Sequence, residues 1–220
     1  MRLPLQPLFL KTSRRFARLP TPWMAWRLTG LVCAWVAGPA LALEVSVTNT
    51  AGQPLPDAVV FLESREARAA VKPAAGVEIA QVDKRFSPLV TVVPVGTAVS
   101  MPNRDTVRHH VYSFSPVKKF EIKLYVGTPA APVVFDQPGI AVLGCNIHDQ
   151  MAAWVLVVDT PWYGRAGADG RISLPQVPAG SYKLRAWHPS LPVGDAASEQ
   201  ALRVESAQQQ VVVKLVGAKP

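Results

Sequence analysis

Ile140-Ala141-Val142-Leu143-Gly144-Cys145-Asn146-Ile147-His148-Asp149-Gln150-Met151-Ala152-Ala153-Trp154-Val155-Leu156-Val157-Val158 is the stretch from which fold and chemistry can both be read. Its two ends, Ile140–Leu143 and Ala153–Val158, are short apolar runs of strand length and composition. Between them lies a polar loop carrying a thiol, an imidazole and a thioether at Cys145, His148 and Met151. The Cys-x2-His-x2-Met spacing places all three donors on one tight turn of chain.

A thiolate, two imidazoles and a weak axial thioether form the His2Cys-Met set that holds copper in blue-copper sites. The second imidazole must come from another strand, and the pair His109-His110 lies upstream. Cu(I) favours soft sulfur and Cu(II) favours imidazole nitrogen. A rigid site offering both lets the metal change charge with little movement of its ligands.

The cysteines and the leader narrow the setting. The chain has two cysteines, Cys33 and Cys145. Residues 1–42 carry Arg2, Lys11, Arg14, Arg15, Arg18 and Arg27 and no acid, then run apolar through Leu31–Ala37 to Ala40-Leu41-Ala42. A basic start, a short apolar stretch and an Ala-x-Ala end predict a secretory signal peptide, with Met24 as an alternative start. Ser13-Arg14-Arg15-Phe16 sits one place out of register for a twin-arginine signal, and Val32 before Cys33 does not suit a lipoprotein signal. Cleavage after Ala42 leaves Cys145 alone in an oxidising compartment, where it has no internal disulfide partner. The expected location is the periplasm.

Bulk composition then says less than it first suggests. The formal charge is +8, and subtracting the six basic residues of the leader leaves +2. The basic excess is therefore a targeting device, and it gives no case for nucleic acid. No apolar segment after the leader is long enough to span a membrane.

Beyond the leader the pattern is β throughout. Short runs rich in Val, Phe, Tyr and Leu recur at Glu44–Thr48, Ala58–Leu62, Leu89–Val93, His110–Phe114, Phe120–Val126 and Pro132–Phe135. They continue after the decisive stretch at Arg171–Leu174, Ser181–Trp187, Ala201–Val204 and Gln210–Val216. Turn signals such as Asn49-Thr50-Ala51-Gly52, Gln137-Pro138-Gly139 and Asp169-Gly170 separate them, which indicates sandwich or barrel topology. Arg65–Gly76 is Ala-rich and charged, and reads as either a surface loop or a helical insert. The run Val99–Asn103 and the turn Arg104–Arg108 deliver Asn103, Asp105 and His109 to one end of a sandwich, where loops cluster.

At these residues the chain resembles the cupredoxins. The match is Asn103-x-Asp105-x-Val107-x-His109-x-Val111, followed by Cys145-x2-His148-x2-Met151 and Val155-x-Val157. Plastocyanin- and amicyanin-like proteins carry an Asn-rich turn before the first His, and the short His-to-Met spacing looks like amicyanin's. The runs His109–Phe114, Gly144–Asp149 and Val158–Pro161 resemble, more closely, a bacterial group labelled methylamine utilisation proteins. The resemblance covers Val59–Pro161. It implies one type 1 copper, with His109, Cys145 and His148 as equatorial ligands and Met151 as axial ligand. Two positions depart from the pattern: His110 stands where Asn usually follows the first ligand, and Leu143-Gly144 replaces the aromatic residues before the ligand Cys.

His109 and His110 are neighbours on a presumed strand, so only one ring can face the site, and the spacing from Asn103 favours His109. Met101 reads as core, Asp105 as a turn-capping carboxylate, and His188 as remote from the motif. Lys118, Lys119 and Lys123 read as a solvated strand face.

Ala168–Leu174, Pro178–Leu184 and Gln210–Val216 resemble a carboxypeptidase-regulatory or transthyretin-like sandwich, and Val45–Val60 resembles the first hairpin of that module. The expected architecture is all-β: a cupredoxin-like Greek-key β-sandwich over residues 43–160 and a smaller Ig-like or transthyretin-like sandwich over 161–220. The hairpin 44–63 is open to either, which allows a nested arrangement. The expected function is an exported one-electron carrier whose partner is a redox protein such as a cytochrome or a dehydrogenase. The competing class is a non-redox copper carrier or chaperone, or a structural sandwich with a vestigial site. No Ser-His-Asp order, paired carboxylates or His-x-His copper motif argues for an enzyme.

Overall fold

Alternating burial builds two sandwiches in this chain, and a shared strand face joins them. The computed structural model describes residues 42–205 and 209–220; of the expected leader, residues 1–42, all but Ala42 lie outside the described residues. The first strands are β1 (Ala42–Asn49) and β2 (Val59–Glu63), followed by a short helix α1 (Arg65–Ala70). Then come β3 (Val77–Glu78), β4 (Ala80–Val82), β5 (Arg85–Ser87), β6 (Val90–Pro94) and β7 (Thr97–Ser100). The central strands are β8 (His109–Ser115), β9 (Lys118–Tyr125), β10 (Val133–Phe135), β11 (Gly139–Cys145) and β12 (Ala152–Val158). The chain closes with β13 (Tyr163–Arg165), β14 (Arg171–Pro175), β15 (Gly180–Trp187), β16 (Ser198–Val204) and β17 (Gln210–Leu215).

The first sandwich pairs the sheets β14-β1-β17 and β13-β2-β15-β16. Strand β1 alternates buried and half-buried positions, so Leu43, Val45 and Val47 enter one core with Ile172, Leu184, Val204 and Val213. The opening hairpin β1–β2 thus shares its sheets with the C-terminal strands. The second sandwich pairs the sheets β6-β12-β11-β8-β9 and β10-β7-β3 around Val99, Val111, Phe135, Leu143, Cys145, Met151 and Val155. It lies in sequence between β2 and β13, so one sandwich is inserted in the other.

Strands β2 and β12 are apolar on both faces, and this joins the two sandwiches. Val60 and Leu62 of β2 enter the first core, while Val59 and Phe61 turn the other way. Val155 and Val157 of β12 enter the second core, while Leu156 and Val158 turn out to meet Val59, Phe61 and Trp187. Trp154 and Trp187 add a tilted aromatic pair with centroids 6.2 Å apart. Leu156→Ala should cost about 2–5 kcal/mol, the usual cost of truncating a fully buried Leu. Because the seam belongs to both sandwiches, denaturation should stay a single transition moved to lower denaturant. Fluorescence and circular dichroism transitions that separate in the wild-type protein would contradict the shared seam.

Arg65–Ala70 takes the helical of its two readings. Ser64 caps it, its Oγ accepting from the Ala67 amide at 3.0 Å, and Glu66 sits in the first turn. The hairpin β4–β5 turns on Asp83 and Lys84, both at positive φ (52° and 56°).

Candidate metal centre

Two loops at one end of the second sandwich carry the site. Strand alternation in β8 puts His109 and Val111 on the core face and His110 and Tyr112 on the opposite face. Cys145 ends β11 directly across from Val111, so its thiol enters the same core face as His109. His148 follows on the loop to β12, and the Met151 amide donates to the His148 carbonyl at 2.9 Å, closing a tight turn.

These placements bring three of the four sequence-predicted donors together. The ligand atoms of His109, Cys145 and His148 all lie within 4.8 Å of one another. His109 Nδ1 is 3.8 Å from Cys145 Sγ, and the rings of His109 and His148 have centroids 5.2 Å apart. His109 and Cys145 are buried, while His148 is half-buried. The Met151 side chain is buried in the core cluster that contains Cys145. His110 faces away: its Nε2 is 2.8 Å from Glu121 Oε1 but outside hydrogen-bond geometry, and its ring meets the edge of Tyr112.

The donor set fits a soft or borderline metal ion. His148 Nδ1 is buried with no hydrogen-bond partner, a state that costs free energy unless something satisfies it. A cation held against that nitrogen, His109 Nδ1 and the Cys145 sulfur would do so. Bound there, copper would supply one-electron exchange. The protein supplies the donors, their orientation and exclusion of water from His109 and Cys145.

Asp105, which the sequence reading placed only at a turn, also touches a candidate ligand. Its Oδ1 accepts from the Asp83 amide at 2.7 Å, and its Oδ2 accepts from the Lys84 amide at 3.0 Å. The turn it caps is thus that of the β4–β5 hairpin, some twenty residues upstream. The same Oδ2 lies 2.7 Å from His109 Nε2. Burial pushes the Asp105 carboxyl up, but the hydrogen bonds from His109, Lys84 and Asp83 outweigh it and hold the group below its ordinary value. An Asp four residues before a candidate ligand His is the signal that points to this contact.

Asn103 stitches the same loop. Its Oδ1 accepts from the Asp105 amide at 2.9 Å, and its Nδ2 donates to the Val107 and Tyr125 carbonyls, both at 2.8 Å. Tyr125, opposite His109 on β9, donates its hydroxyl toward Gln81 Oε1 and the Met101 carbonyl at 2.7 Å each. Burial, with the charge of Cys145 adding to it against the Gln81 bond, pushes the Tyr125 phenol up to about 12. A raised phenol means the fold favours its neutral form, so this stability is whole below about pH 10 and is lost as pH rises toward about 12. Denaturation midpoints of the metal-free protein should fall across that window, and Tyr125→Phe should reduce the fall. It should not remove it, since Tyr163 and Tyr182 are also raised by burial.

Gly144 has a close neighbour. A Cβ there would lie 2.7 Å from the Tyr112 ring, so the residue before Cys145 must be small for Tyr112 to cross over it. The ring over Gly144 therefore comes from the neighbouring strand, on the face turned away from the Cys145 thiol.

No protein-family model and no curated protein matches the chain. Solved structures do. Over 37% of its length the chain is similar to a novel purple cupredoxin from Nitrosopumilus maritimus, covering 99% of that chain at 23% identity and a TM-score of 0.34. Over 45% it is similar to a variant of amicyanin in its reduced Cu(I) form, covering 98% of that chain at 20% identity and a TM-score of 0.35. Over 44% it is similar to a Cu-containing nitrite reductase from Thermus scotoductus, covering 27% of that chain at 23% identity and a TM-score of 0.35. What this chain can hold is set by its own donors.

The remaining candidates do not join the cluster. His188 is buried, with Nδ1 2.7 Å from Ser190 Oγ and Nε2 2.7 Å from the Pro56 carbonyl. Burial lowers its pKa against the raising effect of the Pro56 bond, so it serves as a neutral tie between loops. Met101 packs in the second core. Lys118 pairs with Asp136 and Lys123 with Glu121, while Lys119 lies on the exposed face of β9.

Proposed function

We propose that this chain is an exported type 1 copper protein that carries single electrons in the periplasm and performs no bond chemistry itself. His109, Cys145 and His148 are the equatorial ligands in this reading, and Met151 is the axial one. The observation that carries it is the convergence of the three ligand atoms within 4.8 Å, with an unpartnered buried nitrogen on His148. His109 and Cys145 on strand ends and His148 on a tight loop give Cu(I) and Cu(II) the same cage, and this favours electron exchange over substrate binding. The half-buried edge of His148 is the route by which electrons reach the centre from a redox partner, of the cytochrome or dehydrogenase kind. The sequence runs around the site fit the bacterial methylamine utilisation type. The other sandwich, of carboxypeptidase-regulatory or transthyretin-like kind, serves as a rigid support.

The test is to load the purified protein with Cu(II) and record visible and EPR spectra, followed by a redox titration. Intense visible absorption, a narrow copper hyperfine splitting and a reversible one-electron wave are expected. Tight Cu(I) binding without the colour would instead assign a metal carrier.

A further inference from the structure

The copper reading leaves open what prepares His109 before any metal arrives. An imidazole binds a metal through a bare nitrogen, and the hydrogen bond made by its other nitrogen decides which one is bare. Here Nε2 faces a carboxylate at 2.7 Å and Nδ1 faces the Cys145 sulfur at 3.8 Å. A carboxylate accepts and does not donate, so the proton belongs on Nε2.

The carboxylate has little freedom to turn away. Its two oxygens accept from the consecutive amides of Asp83 and Lys84, and its own amide is held by Asn103. Only 12% of its side chain is exposed. Resting on the copper reading above, we propose that Asp105 is a positioning residue for the centre. It locks His109 in the Nε2–H form with Nδ1 presented to the metal, and its negative charge favours the more highly charged Cu(II). A carboxylate behind a ligating histidine raises that ligand's basicity, and losing such a partner typically costs 10–100-fold in metal affinity.

The experiment has two arms on the full chain. In the metal-free wild-type protein, nitrogen-detected NMR of the histidine rings should show His109 as a single Nε2–H tautomer. Asp105→Asn should then bind Cu(II) about 10–100-fold more weakly, with a smaller loss for Cu(I), and the reduction potential should rise. Asp105→Glu should recover part of the difference. An Nδ1–H or mixed tautomer in the wild type would overturn the proposal. So would equal losses for the two copper states in Asp105→Asn with an unmoved potential. Failure of the wild type to bind copper would sink the copper reading, and the tautomer arm would still decide the positioning role.

Discussion

Serine in place of Cys145 is expected to erase the visible charge-transfer band of the copper-loaded protein and leave the fold in place. The band requires a thiolate bonded to copper, and Cys145 is the sole cysteine among the described residues. Its sulfur is buried in the second core, but serine is nearly the same shape. The stability change should therefore be limited to the roughly 1–3 kcal/mol that a poorly paired buried hydroxyl costs. Absorption spectra of the two loaded proteins, with thermal melts of their metal-free forms, check both halves. Colour that survives in Cys145→Ser would remove the thiolate from the site.

The two adjacent histidines should separate just as sharply. His109→Ala removes a donor from the cluster and leaves Asp105 facing a cavity. Cu(II) affinity should fall by more than about 100-fold, beyond the usual cost of losing a partner behind a ligand. His110→Ala acts on the other face of β8, where the ring meets Glu121 and Tyr112. It should keep the metal within roughly a few-fold, since no donor is lost. Equilibrium copper titration of both variants gives the comparison. Loss of copper in His110→Ala with retention in His109→Ala would place the wrong ring in the site.

Much of this was legible because local chemistry decided it. The runs flanking Cys145–Met151 could only be strands, and alternation through His109-His110 put one ring on each face. Other features rest on distant partners that no short window of sequence displays. Strand β1 pairs in parallel with β17, and β6 pairs in parallel with β12. Such pairings join segments far apart in the sequence. The β4–β5 turn was missed because Asp83-Lys84 is not the Asn-Gly or Asp-Gly pair that usually marks a two-residue hairpin. With that turn unseen, Asp105 had no visible tertiary partner, so its contacts with the hairpin and with His109 went unread together. Strand β13 spans only three residues and contains Gly164, whose missing Cβ makes room for Ile172 of β14. The seam between the sandwiches was foreshadowed only by the unbroken apolar runs of β2 and β12, which a strand covered on one face alone does not show.

X-ray absorption at the copper edge of the protein loaded with one equivalent of Cu(II) tests the central claim most directly. Two imidazole nitrogens and one short copper–sulfur bond, the sulfur lost in Cys145→Ser and one nitrogen lost in His109→Ala, are the result expected of a centre built from His109, Cys145 and His148. A copper shell of nitrogen and oxygen alone, unchanged in both variants, would contradict it.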